Sequence, residues 1–268
     1  MTEELRTKVD TLYALLRSAG RIAIAFSGGV DSAYLLWAAH DALGDDVIAV
    51  TLRSAVNPKA EQEDASLLCR KIGVRQIVID ADVLSVPHFS KNPPDRCYHC
   101  KKALFGMIKD KIRELGFDSV ADGTNADDDN DYRPGSKAAK ELGILHPLHD
   151  AGLTKKDIRE LSKAAGLPTW NHPSMACLAS RFPYGDRITE EGLRMVGEAG
   201  EYLRNMGLSQ YRVRKIGSTA RIEVLPEEFP LVTEKMDLIT EEFVKSGFED
   251  VILDPKGYRT GSLNELLK

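Results

Sequence analysis

Two stretches of this sequence carry residue types that do chemistry. Ser27-Gly28-Gly29-Val30-Asp31-Ser32 follows a short apolar run, residues 21–26, and precedes a helical pattern, residues 31–43. A strand, a Ser-Gly-Gly turn and a helix start make an anion site, because unpaired backbone N–H groups and the positive end of the helix dipole face the ligand. The glycines let backbone approach phosphate without a Cβ in the way. Ser27 and Ser32 add hydroxyl donors, and Asp31 supplies a carboxylate of the kind that holds magnesium beside phosphate oxygens. No Gly-Lys-Ser/Thr follows, so this is not a Walker A loop, nor is it Gly-x-Gly-x-x-Gly. A bare Gly-Gly pair would need no explanation beyond a tight turn; the whole hexapeptide after a buried strand is far more specific.

The second stretch is Cys97-Tyr98-His99-Cys100, a C-x-x-C at a helix start. The spacing suits redox, zinc or iron-sulfur chemistry. A helix N-terminus with Arg96, Lys101 and Lys102 close by favours thiolate over thiol. A third cysteine, Cys177, lies in Pro173-Ser174-Met175-Ala176-Cys177-Leu178-Ala179-Ser180-Arg181, a segment without core-like periodicity. The fourth, Cys69, follows Leu67-Leu68 on a helical pattern and reads as a small buried hydrophobe. Three functional thiols suit a cubane cluster with one open iron; a zinc site would want a fourth ligand, with His99 or His172 as candidates.

These residues need a scaffold. Helical periodicity marks residues 5–16, 31–43, 58–72, 97–115, 154–165 and 189–206, with Thr154 placed as an N-cap. Apolar runs at 21–26, 47–52, 75–79 and 119–121 read as strands. Alternation of the two predicts an α/β fold: a parallel sheet with helices on both faces, which binds ligands at the carboxyl ends of its strands. The Gly-Gly loop and Gly123-Thr124-Asn125 both sit at such ends. Asp127-Asp128-Asp129-Asn130-Asp131 has carboxylates enough for a cation but reads first as a solvated, mobile acidic loop. Residues 168–185 look irregular. Beyond them the pattern changes to a hairpin of 211–215 and 220–225 through Gly217-Ser218, a long helix over 227–246 and a strand at 251–253. We therefore expect a first domain over 1–186 and a smaller C-terminal α+β domain over 187–268, serving substrate binding or oligomerisation.

The chain has 268 residues with 36 basic and 41 acidic side chains. The mild acidic excess argues against a nucleic-acid partner. No apolar run approaches the roughly 20 residues of a membrane span. Met1-Thr2-Glu3-Glu4-Leu5 is not a secretory leader, so a cytosolic protein is expected. Four cysteines there read as metal or catalytic thiols before disulfides.

The hexapeptide resembles the PP-loop of the ATP pyrophosphatases, which cleave ATP between the α and β phosphates and adenylate a substrate oxygen. Gly123-Thr124-Asn125 fits that group's later nucleotide loop. Together with Pro173 to Gly185, Arg212-Val213-Arg214 and Ala220-Arg221-Ile222-Glu223, the chain is similar nearly throughout to the LarE family, ATP-dependent sulfur transferases of nickel-pincer nucleotide biosynthesis. The resemblance implies pyridinium-3,5-biscarboxylic acid mononucleotide as substrate, ATP and magnesium as cofactors, and a homo-oligomer. It implies that Arg212 and Arg214, alternating onto one strand face, bind the substrate phosphate; unaided, an exposed edge-strand face explains them as well. Arg181 would contact adenylate or carboxylate, and Glu201 and Glu223 match acidic positions near the substrate, although Glu223 on an alternating strand ordinarily means exposure. In one branch of the family the cysteine matching Cys177 surrenders its own sulfur. Cys97 and Cys100 instead resemble the branch in which three cysteines, here Cys97, Cys100 and Cys177, hold a [4Fe-4S] cluster carrying a removable sulfide, and that version is favoured. A tRNA thiolase and a non-catalytic zinc or nucleotide-binding module are the rival readings.

Overall fold

The computed structural model describes residues 1–130, 134–173, 176–259 and 263. Ser174, Met175 and Asp131, singled out above, lie outside them. The four strands of the first sheet, β1 (Ile22–Ala25), β2 (Val47–Arg53), β3 (Arg75–Asp80) and β4 (Ser119–Ala121), are all parallel and lie in the order β3-β2-β1-β4. Successive strand residues point to opposite faces, and two separate cores result. Ile22, Ile24, Val47 and Ala49 pack on one side with Leu12 and Leu16 of α1 (Glu3–Ala19), Leu35 and Leu36 of α2 (Val30–Leu43), Leu68 of α3 (Lys59–Ile72) and Ile158 of α7 (Lys155–Ala164). Ala23, Ile48 and Val50 pack on the other with Phe105, Ile108 and Ile112 of α4 (Arg96–Glu114) and Ala139 of α5 (Pro134–Glu141). Burial on both faces is why β1 and β2 read as unbroken apolar runs rather than alternating ones. Each fully buried Leu or Ile contributes roughly 1.5–3 kcal/mol. A short helix, α6 (Pro147–Asp150), precedes α7.

The topology places the site. From β1 the chain steps outward to β2 and β3, then returns to β4 on the other side of β1. The direction of travel reverses between β1 and β4, and open α/β sheets bind ligands in the crevice at that reversal, beyond the carboxyl ends. The loops leaving β1 and β4 are Phe26 to Gly29 and Asp122 to Asn125.

Residues 1–54, 59–81 and 97–174 make up this first compact unit, and 55–58, 82–96 and 175–268 make up a second. The second unit thus takes in residues ahead of the expected boundary at 187. It contains the antiparallel hairpin β5 (Tyr211–Ile216) and β6 (Thr219–Val224), closed at Ile216↔Thr219 through Gly217, whose φ of 59° suits a two-residue hairpin turn. A parallel strand, β7 (Asp250–Leu253), completes the sheet β5-β6-β7. α8 (Glu190–Asn205) starts at Thr189, whose side chain accepts from the Gly192 amide. The helix expected over 227–246 is broken into a 3-10 turn Pro226–Glu228, α9 (Phe229–Glu234) and α10 (Met236–Lys245). Val232, Ile239 and Phe243 are all fully buried at helical spacing, so the apolar pattern runs straight across the break at Lys235. The stretch 168–185 contains two 3-10 turns, Pro168–Asn171 and Leu178–Arg181.

Candidate functional site

The phosphate loop is built as its residue types demand. Gly28 has φ 82°, and a Cβ there would come within 3.1 Å of the Ala65 Cβ on α3. The hydroxyls of Ser27 and Ser32 are 3.1 Å apart, and Ser32 Oγ donates to the Gly29 carbonyl at 3.1 Å. Val30 and Ser32 are buried, while Ser27 and Gly29 stay exposed, leaving the mouth of the loop open to an anion. Gly29 is the N-cap of α2 and has no side chain to satisfy the helix's first amides, which therefore remain donors for a ligand.

Gly123 closes the other side. A Cβ at that position would lie 2.7 Å from the Ser32 amide nitrogen and 3.1 Å from the Asp31 carbonyl carbon, so only glycine lets the β4 loop rest against the start of α2. Thr124 follows in an Asx turn, its amide donating to Asp122 Oδ1 at 3.0 Å. Asp122 is buried; His146 Nδ1 stands 2.7 Å from Oδ1 and Lys101 Nζ 3.6 Å from Oδ2. Burial alone would raise this carboxyl, but the His146 hydrogen bond and the Lys101 charge outweigh it and bring it down to about 2. Asp122 is thus an anion that ties the residue after Cys100 to the nucleotide loop.

Asp31 lies in the first turn of α2, where a carboxylate is favoured by the dipole. Its Oδ2 is 2.5 Å from Lys155 Nζ. Lys155 opens α7 behind a capping box of Thr154 and Asp157. No motif pointed to Lys155. The acidic loop is exposed at Asp127 and Asp129, and it is also hydrogen-bonded: Ala126–Asn130 form a 3-10 turn, Asp127 accepts the Lys155 amide at 2.8 Å, Asp128 accepts that of Asn125 at 3.1 Å, and Asp129 pairs with His149 at 3.0 Å. Its carboxylates hold backbone donors and a histidine while Asp127 and Asp129 still face solvent.

Cys97 is exposed and Cys100 half-buried, three residues apart on the first turn of α4 and so on one face. The neighbouring cations each have an anionic or carbonyl partner: Lys101 with Asp122, Lys102 with Glu141 at 3.1 Å, and Arg96, in the second unit, with Asn92 and the Ala179 carbonyl. Cys69 is buried, and burial pushes its thiol up to about 12, which fits a core role. His99 is half-buried and His172 exposed. Among the described residues, no group of three or more His, Cys, Asp and Glu side chains is arranged to hold a metal ion.

The second unit gathers the remaining candidates. Exposed Cys177 precedes the 3-10 turn that carries Ser180 and Arg181. Arg181, Arg212 and Arg214 are all buried. Arg214 grips Glu223 with two bonds of 3.0 and 3.1 Å and donates to the Ser180 carbonyl at 2.7 Å. Arg181 donates to Ser180 Oγ at 2.8 Å, and Ser180 Oγ donates to the Cys177 carbonyl at 2.7 Å. Arg212 lies over the Tyr258 ring, 4.9 Å from its centre. Burial, and then the charges of Arg212 and Arg214, pull the Arg181 guanidinium down to about 9, against the opposing pull of Cys177 and Glu223. Burial likewise lowers Arg212. Glu223 is fully buried, which overturns the exposure expected of its alternating strand: that face of the hairpin is covered, not solvated. Arg221 also reaches Glu223, at 3.1 Å. Arg181, Arg212 and Arg214, three buried guanidiniums near the Glu223 carboxylate, form a desolvated cationic site suited to phosphate or carboxylate, with the half-exposed Arg221 at its edge. Glu201 is exposed on α8 and takes no part in these bonds. Ser180, which links the Cys177 segment to two of the arginines, was not singled out in the sequence.

Comparison with known proteins agrees with this architecture. A family model described as a PP-loop domain matches residues 1–129. The chain is 36% identical to the pyridinium-3,5-bisthiocarboxylic acid mononucleotide synthase of Lactiplantibacillus plantarum, over 98% of this chain and 96% of that protein. It is 39% identical to an uncharacterized protein of Synechocystis sp., over 98% of this chain and 99% of the relative. A tRNA-specific 2-thiouridylase of Syntrophus aciditrophicus is 27% identical, over 92% of this chain and 76% of that enzyme.

Proposed function

The chain belongs to the LarE family of PP-loop proteins, and from that premise we propose that it is an ATP-dependent sulfur transferase acting on pyridinium-3,5-biscarboxylic acid mononucleotide. A carboxylate oxygen of the substrate attacks the α-phosphorus of ATP; the bond to the β-phosphate oxygen breaks, and pyrophosphate leaves. A sulfur nucleophile then attacks the activated acyl carbon, AMP departs with the bonding pair, and a thiocarboxylate remains. The phosphate loop at the β1–β4 switch point carries this reading, in a chain whose likeness to the synthase extends through the second unit.

In this reading Ser27 to Ser32 and Gly123 to Asn125 hold ATP, and Asp31 takes its magnesium. Arg212 and Arg214 receive the substrate phosphate, and Arg181 faces the carboxylate that becomes the acyl adenylate. Their burial supports that assignment, because a desolvated guanidinium binds an anion more strongly than a hydrated one. Glu223 holds Arg214 in position, and Glu201 is a further acidic residue of the substrate side.

The sulfur route rests on the cysteines. Cys97, Cys100 and Cys177 are thiols of the kind an iron-sulfur cluster needs, and none of the three is buried; a [4Fe-4S] group held by them would supply an exchangeable sulfide as nucleophile. One observation favours the other route. Cys177 alone of the three shares a unit with the arginine cluster, a position suited to a thiol that attacks the acyl adenylate itself and yields its sulfur. Mass spectrometry after turnover separates them: an intact Cys177 with many turnovers on added sulfide supports the cluster, and a Cys177 lighter by one hydrogen sulfide supports sacrifice. Among the described residues no helix is long and apolar enough to cross a membrane. We take the working form to be a homo-oligomer with a small-molecule substrate and no nucleic-acid partner.

A further inference from the structure

Arg212 lies against an aromatic face. Its guanidinium carbon is 4.9 Å from the centre of the Tyr258 ring, and it donates to the Tyr258 hydroxyl at 3.3 Å and to the Tyr211 carbonyl at 2.8 Å. Burial penalises the charge of Arg212, and the electron-rich face of a tyrosine offsets part of that cost without cancelling the charge. Tyr258 is in turn fixed by the backbone around it. The chain beyond β7 stays bonded to β6, with the Asp254 amide donating to the Ile222 carbonyl and the Tyr258 amide to the Val224 carbonyl, both at 2.8 Å. Between them Asp254 Oδ1 accepts the Lys256 amide at 2.9 Å. Gly257 has φ 64°, and a Cβ there would stand 2.8 Å from the Val224 carbonyl oxygen, so this tight turn needs glycine immediately before Tyr258. These bonds are made by backbone and by Asp254, and the Tyr258 ring takes no part in them; its contact is with Arg212.

We propose that Tyr258 is a positioning residue of the substrate site, whose ring holds the Arg212 guanidinium charged and aimed for the phosphate of the pyridinium mononucleotide. The inference rests on the substrate reading given above. An arginine side chain has many rotamers, and ordering it costs affinity when it happens on binding. The Tyr258 ring and the Tyr211 carbonyl impose that order beforehand. Tyr258 acts through Arg212 alone and has no role toward ATP.

Titration calorimetry on the full-length chain, with pyridinium-3,5-biscarboxylic acid mononucleotide and AMP as separate probes, tests this. Tyr258→Leu keeps an apolar side chain and removes the π face. It is expected to weaken mononucleotide binding by about threefold to thirtyfold, the range of one cation–π contact, with AMP affinity unchanged. Tyr258→Phe should recover most of that loss. Fluorinated phenylalanines at position 258 drain the negative face of the ring with little change of shape, so mononucleotide affinity should fall step by step with each added fluorine. That series decides the matter even if Tyr258→Leu does not fold. Native affinity in Tyr258→Leu, equal loss for both probes, or a flat fluorine series would overturn the proposal. Native chain that binds AMP but not the mononucleotide would remove the substrate reading as well, a result distinct from a flat series.

Discussion

Gly123 touches the helix start at Ser32 so closely that a Cβ on Gly123 would stand 2.7 Å from the Ser32 amide nitrogen. Two loops nearly a hundred residues apart in sequence thus form one backbone surface, with donor groups on one side and the Asx turn of Asp122 on the other.

Gly123→Ala should therefore push the two loops apart. The expected cost is about 1–3 kcal/mol of stability from overpacking, accompanied by loss of nucleotide binding. Urea denaturation and ATP titration read the two effects; an alanine variant that binds ATP as the native chain does would show that the seam is not part of the site.

Asp122 makes stability depend on acid. Its carboxyl is lowered to about 2 in the folded chain, below the unfolded value near 3.9. A depressed folded value contributes stability that is present above the unfolded value and lost as pH falls through the folded one. The contribution is roughly 2 kcal/mol. Asp122→Asn should be less stable than the native chain at neutral pH by about that amount, and the gap should close as pH falls from about 4 to about 2. A gap independent of pH would assign the effect to shape instead of charge.

Much of this arrangement is legible in sequence. The buried strand, the serines and glycines and the helix that follow fix the phosphate loop locally, so residues 27–32 could be read in order. Cys69 declared itself by its apolar helical neighbours. The hairpin followed from two alternating runs around Gly217-Ser218. Lys155 did not, because it meets Asp31 only through the packing of α7 on α2, and no local pattern encodes a contact across 124 positions. Glu223 misled for a related reason: alternation along β6 shows which residues share a face, and the cover over that face comes from the Cys177–Arg181 segment and Tyr258. The acidic run 127–129 was read by composition, which cannot show that each carboxylate has its own donor. The break at Lys235 leaves no trace in apolar spacing.

Removing Glu223 should expose how strongly the arginines repel. Glu223→Gln leaves the Arg214 guanidinium without its carboxylate beside Arg181 and Arg212, while Arg221 keeps Asp254 at 3.6 Å, at a cost of about 3–5 kcal/mol for an unpaired buried charge. Added inorganic phosphate should recover part of that loss by mass action, and more in the variant than in the native chain. A loss below about 1 kcal/mol, or no effect of phosphate, would contradict an anion site there.

The thiols should divide three to one. In metal-free native protein, iodoacetamide is expected to modify Cys97, Cys100 and Cys177, with Cys69 reacting only after denaturation, since burial raises its thiol to about 12 and the thiolate is the nucleophile. Peptide mass spectrometry identifies the sites. Early labelling of Cys69 would place it outside the core.

The most direct test of sulfur transfer by a PP-loop enzyme is product analysis under anaerobic conditions, with protein, magnesium ATP, pyridinium-3,5-biscarboxylic acid mononucleotide and sulfide. AMP and pyrophosphate should form in equal amounts and only when the mononucleotide is present, together with a product in which one carboxylate oxygen is replaced by sulfur. Release of ADP and phosphate, or cleavage of ATP that ignores the mononucleotide, would contradict the account.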